Sequence, residues 1–123
     1  MGGMNENWLI LYNRFVVDKG PGVFAKTASF DHIIAGNAFV LHDATAPMIC
    51  LQTPDCTGIE AVDNAVYGGR PQLSTGLGRL ARNAGNVSRP MQTELPPRPT
   101  PAVPSIFEWQ REHVAWKRVL PVR

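Results

Sequence analysis

Residues 86–104, NVSRPMQTELPPRPTPAVP, hold six of the eleven prolines of the chain. Proline has no N–H and a fixed φ, so such a stretch can neither join a sheet interior nor continue a helix. The 123 residues accordingly divide into a small body (1–85), an extended arm (86–104) and a terminal stretch (105–120). About 80 residues of body give one modest core. With 44% hydrophobic and 18% charged residues, that body has the composition of a folded domain.

Helical spacing dominates the reading of the body, and the expected fold class is mainly α: a small irregular α or α+β body, the Pro-rich arm, and a C-terminal amphipathic anchor helix. Asn5 caps a first segment in which Trp8, Leu11, Tyr12, Phe15 and Val16 share one face. Lys19, Gly20 and Pro21 supply its stop. Two short strands, WLILY and RFVV, compete for the same residues because they are rich in β-formers. A second segment opens at Ser29 and aligns Phe30, Ile33, Ile34, Asn37, Val40 and Leu41, with Gly36 weakening it. A hairpin pairing NAFVLH with PMICLQ is its alternative. Thr57 and Glu60 read as a capping box before Ile59, Val62 and Val66, with Gly68 and Gly69 as the end. A short helix with Leu77, Leu80 and Ala81 inward closes the body before Gly85. No internal repeat of 20 to 50 residues is expected from the pattern.

The terminal stretch has the best-formed signature. Ser105 and Glu108 form a second capping box, Pro104 precedes it and Pro121 follows. Ile106, Trp109, His113, Trp116 and Leu120 recur at three- and four-residue steps, with Lys117 and Arg118 in the last turn, where the helix dipole favours cations. An isolated helix of this length is marginal in water. Tryptophan is enriched where proteins bind one another, so Ile106, Trp109, Trp116 and Leu120 are expected to bind a partner protein. Arg98, Pro101 and Pro104 add an R-x-x-P-x-x-P pattern suited to domains that read polyproline helices.

Charge is distributed unevenly. Residues 1–69 carry three basic against seven acidic groups, a net of −4, and residues 70–123 carry nine against three, a net of +6. Arg70, Arg79, Arg82, Arg89, Arg111, Lys117 and Arg118 are the candidate contacts to phosphate or to an acidic partner.

Chemistry-bearing motifs are sparse. Asp31-His32 and His42-Asp43 could form half a metal site or an acid–base pair. GLGRLARNAG lacks the third glycine of a dinucleotide loop and the Gly-Lys-Ser/Thr of a phosphate loop. No catalytic residue, metal, cofactor or small-molecule substrate is expected. Cys50 and Cys56, with no further Cys pair, fit a reducing intracellular compartment, with Cys50 as a buried free thiol; a Cys50–Cys56 disulfide across the Thr53-Pro54-Asp55 turn is the alternative. A mitochondrial or ciliary setting remains open. The longest apolar run falls short of a bilayer span, and no targeting signal fits.

The function these features suggest is a non-catalytic accessory or structural subunit fastening neighbours in a larger intracellular assembly, such as a respiratory complex, an organellar ribosome or a ciliary microtubule lining. An RNA-binding ribosomal component using the arginine-rich half is one alternative. A small enzyme or metal protein using His32 and His42 is another.

Overall fold

A computed structural model describes residues 5–26 and 28–100. Every regular element among them is a β-strand, and the chain winds into a parallel β-solenoid of about three turns. The first turn contains β1 (Asn5–Glu6), β2 (Leu9–Leu11), β3 (Arg14–Val17) and β4 (Val23–Ala25). The second contains β5 (Ser29–Phe30), β6 (Ile33–Ala35), β7 (Ala38–Leu41) and β8 (Ile49–Leu51). The third contains β9 (Glu60–Val62), β10 (Ala65–Gly68) and β11 (Ser74–Gly76), and β12 (Arg82–Ala84) and β13 (Val87–Arg89) begin a fourth.

Strands at the same place in successive turns pair in parallel and build three faces: face I from β2, β6, β9 and β12, face II from β3, β7, β10 and β13, and face III from β4, β8 and β11. A narrow fourth ladder joins β1 to β5 and continues as a bridge from Phe30 to Thr57. Alternate residues of each strand point inward. Ile10, Ile34 and Ala61 from face I meet Phe15, Phe39 and Val66 from face II and Val23, Ile49 and Leu51 from face III in one core. Phe15 stacks on Phe39 with ring centroids 5.1 Å apart.

The corner between faces I and II sets the register of the coil. Asn13, Asn37, Asn64 and Asn86 occupy it in consecutive turns, each preceded by a residue in the left-handed region: Tyr12 (φ 55°), Gly36 (φ 68°), Asp63 (φ 56°) and Gly85 (φ 69°). The side-chain oxygen of each asparagine accepts the backbone N–H of the asparagine one turn below, at 2.8 Å for Asn13 to Asn37 and 3.0 Å for the next two pairs. The amide of each upper asparagine donates back to a carbonyl in the turn beneath: Asn37 to Ile10, Asn64 to Ile34 and Asn86 to Ala61. Asn37 and Asn64 are fully buried polar groups, and the ladder supplies the partners that burial demands. Glycine is required at two of these corners. A Cβ at Gly36 would strike the Tyr12 ring, and one at Gly85 would strike the Asp63 carboxylate.

The expected α-rich body is therefore overturned, and each helical segment is corrected in the same way. The apolar spacing from Trp8 to Val16 is broken at the Tyr12–Asn13 corner, and the competing strand reading of those residues is the one found. NAFVLH and PMICLQ are both strand-forming, as β7 and β8, but they do not pair as a hairpin; each pairs with the turns above and below. Thr57 is a bridge residue and Glu60 opens β9, so no capping box forms. Leu77, Leu80 and Ala81 lie in the loop between β11 and β12. The absence of a repeat is also corrected: equivalent residues recur after 24, 27 and 22 positions, as in Arg14, Ala38, Ala65 and Val87. β-branched and aromatic residues in three- and four-residue runs fit a pleated surface better than a helix. What defeats the helical spacing is the corner repeated in every turn.

The coil extends past residue 85 to Arg89, and the chain then returns across face II. Met91 approaches Gly68 at the end of β10, and the buried Pro96 accepts a hydrogen bond from the Arg14 guanidinium at 3.0 Å. This strap passes the outward-pointing Ala38 and Val40, which are buried. Residues 105–120, where the anchor helix is expected, lie outside the described residues.

Replacing Asn64 by Leu leaves the buried Asn37 N–H without its acceptor and removes one of the two acceptors of the Asn37 amide and the side-chain donor to the Ile34 carbonyl. The expected cost is about 2–5 kcal/mol in urea unfolding. Asn13→Ala, at the first rung, removes donors on one side only and should cost distinctly less; equal losses would contradict the ladder as the register-setting contact.

Candidate functional site: the basic last turn

Face III ends at β11, one strand short of its neighbours, and the step leaves an open groove of about 560 Å³. Arg70, Gln72, Ser74, Thr75, Arg79 and Asn83 contribute its polar lining. A second groove of about 460 Å³ shares Arg79 and Leu80 with it and adds Pro54, Cys56 and Thr57. Arg70 is oriented by a hydrogen bond to the Gln72 side chain at 3.1 Å. Arg82 stands 3.9 Å from the Glu60 carboxylate, a long contact for an ion pair, and Arg89 is exposed at the end of β13. The solenoid thus gathers Arg70, Arg79, Arg82 and Arg89 at one end. Arg70 and Arg79, nine positions apart, line the same groove in the third turn, and Arg82 and Arg89 stand on β12 and β13, which begin the fourth.

That end is also an unpaired sheet edge. Among the described residues, β11, β12 and β13 each have a neighbour on one side only. All three residues of β13 are exposed, Val87 to 45%. The Val87 N–H points down to the Asn64 carbonyl, so by strand alternation the N–H and C=O of Ser88 point away from the coil. An exposed edge of this kind is a template for another strand.

The histidines do not converge. His32 is fully buried at the corner before β6, where its Nδ1 accepts the Trp8 N–H at 3.1 Å, whereas His42 is exposed just after β7, at another corner. Asp43 serves a turn: its carboxylate accepts from the Thr45 N–H and hydroxyl and from the Gly20 N–H, which hold it below the usual carboxylate range. Among the described residues no group of three His, Cys, Asp or Glu could hold a metal ion. Both cysteines are free; Cys50, expected to be buried, lies half-buried on the outward side of β8, and the buried thiol is Cys56, which donates to the Lys26 carbonyl at 3.0 Å.

Of the other residues singled out from the sequence, Arg98 is exposed beyond the strap. Ile106, Trp109, Trp116, Leu120, Pro101, Pro104, Arg111, Lys117 and Arg118 lie outside the described residues. No described helix is long and apolar enough to cross a membrane. Comparison of the chain with family models, with curated proteins and with solved structures finds no match.

Burial holds the His32 imidazole below its ordinary pKa of 6.5, with the nearby Asp31 charge partly opposing. The unfolded chain therefore takes up a proton more readily than the folded one. Stability contributed by neutral His32 is complete above about pH 6.5 and declines as pH falls toward the lower, folded pKa, with a slope of at most about 1.4 kcal/mol per pH unit. Urea unfolding from pH 7.5 to 5 should show this decline, and His32→Gln should flatten it. A wild-type profile that is flat over that range would contradict it.

Proposed function

We propose that the protein is a non-catalytic accessory component that fastens a neighbouring protein at its last turn, by receiving an acidic extended segment along the edge of β12 and β13. The observation that carries this reading is the coincidence of an exposed, unpaired parallel edge with four arginines. Edge hydrogen bonds supply affinity without regard to sequence, and side-chain contacts supply selectivity. Arginine adds paired, planar hydrogen bonds to carboxylates, which suits an acidic partner. The asparagine ladder and the continuous core hold the edge rigid, so little ordering of this side is lost on binding.

The same arginines with Gln72, Ser74 and Thr75 could instead grip a phosphate backbone, so the test separates the two. The tagged full chain is isolated with its associates, with and without nuclease, and compared with Arg82→Glu/Arg89→Glu and with Ser88→Pro, which removes the outward N–H of the edge. Expected is a protein associate that survives nuclease and is depleted at least about tenfold by either variant, equivalent to about 1.4 kcal/mol, with far-ultraviolet spectra unchanged. Loss on nuclease treatment would assign the surface to RNA. Retention of the same associate by both variants would remove the edge as the binding surface.

A further inference from the structure

We infer that the level above β11 is a seat for one strand of a partner protein: an extended segment with an acidic residue at each end and apolar residues turned inward, which completes face III. Among the described residues, faces I and II have four strands each and face III has three. The shortfall has a local cause. After Arg89 the chain meets Pro90 and turns back across face II, so the fourth turn does not continue onto face III. β12 and β13 thus stand about one strand spacing, roughly 4.8 Å, above the level of β11. The groove of about 560 Å³ is the space left by that step.

Main-chain groups line the floor of the groove. β11 pairs with β8 in the register Ser74–Ile49, Thr75–Cys50 and Gly76–Leu51, and the Ile49 N–H donates to the Leu73 carbonyl at 3.0 Å. Alternation from that bond sends the N–H and C=O of Thr75 toward β8. It turns the N–H and C=O of Ser74 and the N–H of Gly76 away from β8, into the groove. A donor, an acceptor and a second donor in a row are what a parallel ladder presents to its next strand. An isolated phosphate or carboxylate would leave the acceptor unmet.

Side chains define the occupant. Arg70 precedes β11 and Arg79 follows it, so the groove carries a guanidinium toward each end. Arg70 is steadied by the neutral Gln72 amide, which orients the charge without cancelling it. A carboxylate at each end of a short strand meets both. On the inward side, Val23, Ile49 and Ser74 form one column and Ala25, Leu51 and Gly76 the next. The core columns therefore end in a hydroxyl and a hydrogen, and Leu73 and Leu80 beside that rung are only partly buried. Aliphatic side chains above Ser74 and Gly76 cover them. Beyond Arg79 the second groove offers Pro54, Leu80, Ala81 and Leu77, the last 71% exposed, to an apolar residue that follows the second acid. The partner's segment thus runs acid, apolar, polar, apolar, acid, apolar. The inference rests on the reading above for an acidic, extended partner, and its seat is β11, apart from the β12–β13 edge.

A labelled peptide with blocked ends, Glu-Val-Thr-Val-Glu-Leu, tests the seat on the full chain by fluorescence anisotropy and amide exchange. Expected are saturable binding and slower exchange of the Ser74 and Gly76 N–H groups. Binding should fall at least about tenfold when both peptide glutamates become lysine, and equally when the central threonine is N-methylated, since its N–H meets the Ser74 carbonyl. Arg70→Glu/Arg79→Glu should weaken it as much, and Ser88→Pro should leave it unchanged. Absence of saturable binding would overturn the inference, as would equal binding of the N-methylated peptide, which is attraction by charge alone. Loss in Ser88→Pro with retention in Arg70→Glu/Arg79→Glu would also overturn it, while leaving the β12–β13 edge in place. Binding as expected, with the native associate retained by the edge variants, upholds this seat and removes that edge. Should the arginine variant unfold, the two altered peptides decide.

Discussion

Four asparagines stacked at one corner govern this molecule. The two central ones, Asn37 and Asn64, are buried, and each must satisfy an amide with two donors and an acceptor. The ladder does so by binding every rung to the backbone of the rung beneath. A slip of one residue in any turn would turn an apolar strand inside out and orphan a buried amide as well. Packing and polar satisfaction therefore demand the same register. The left-handed residue before each asparagine bends the chain between faces I and II, and the narrow choice at that position (Tyr12, Gly36, Asp63, Gly85) follows from which side chain lies over the next corner.

The ladder was written in the sequence in plain form. LILYN, IIAGN, EAVDN and RNAGN align, each with three strand residues, a corner residue and asparagine. Helical spacing concealed it because the turns differ in length and because three-residue strands joined by tight corners place apolar residues three and four apart, as a helix does. Trp8, Leu11, Tyr12 and Phe15 are the clearest case. Asn37 fits one position on an apolar helix face when taken alone; set beside Asn13 and Asn64 it marks the repeated corner. An unequal period, not a weak one, hid the repeat.

Other features were legible. Of the arginines of the second half, Arg70 and Arg79 line one groove, and Arg82 and Arg89 stand on the end strands β12 and β13. The sequence could place them in one half of the chain but could not bring them to one end, since that depends on the winding. The edge character of Ser88 was illegible for the same reason. Proline content marked the break in regular structure after Arg89, and the final strand reaches into the start of that tract without including a proline.

The strap has a consequence for how the molecule comes apart. A stack of coils holds each layer through its immediate neighbours, and such stacks ordinarily loosen from their ends. Here the covalent continuation of the topmost layer is fastened by Pro96 to Arg14 in the bottom one. Loosening the first turn at Arg14 or lifting the strap at Pro96 breaks that clasp, so the two ends of the coil are coupled through it. A fold of nearest-neighbour contacts acquires in this way one long-range link between its first turn and the chain that leaves its last.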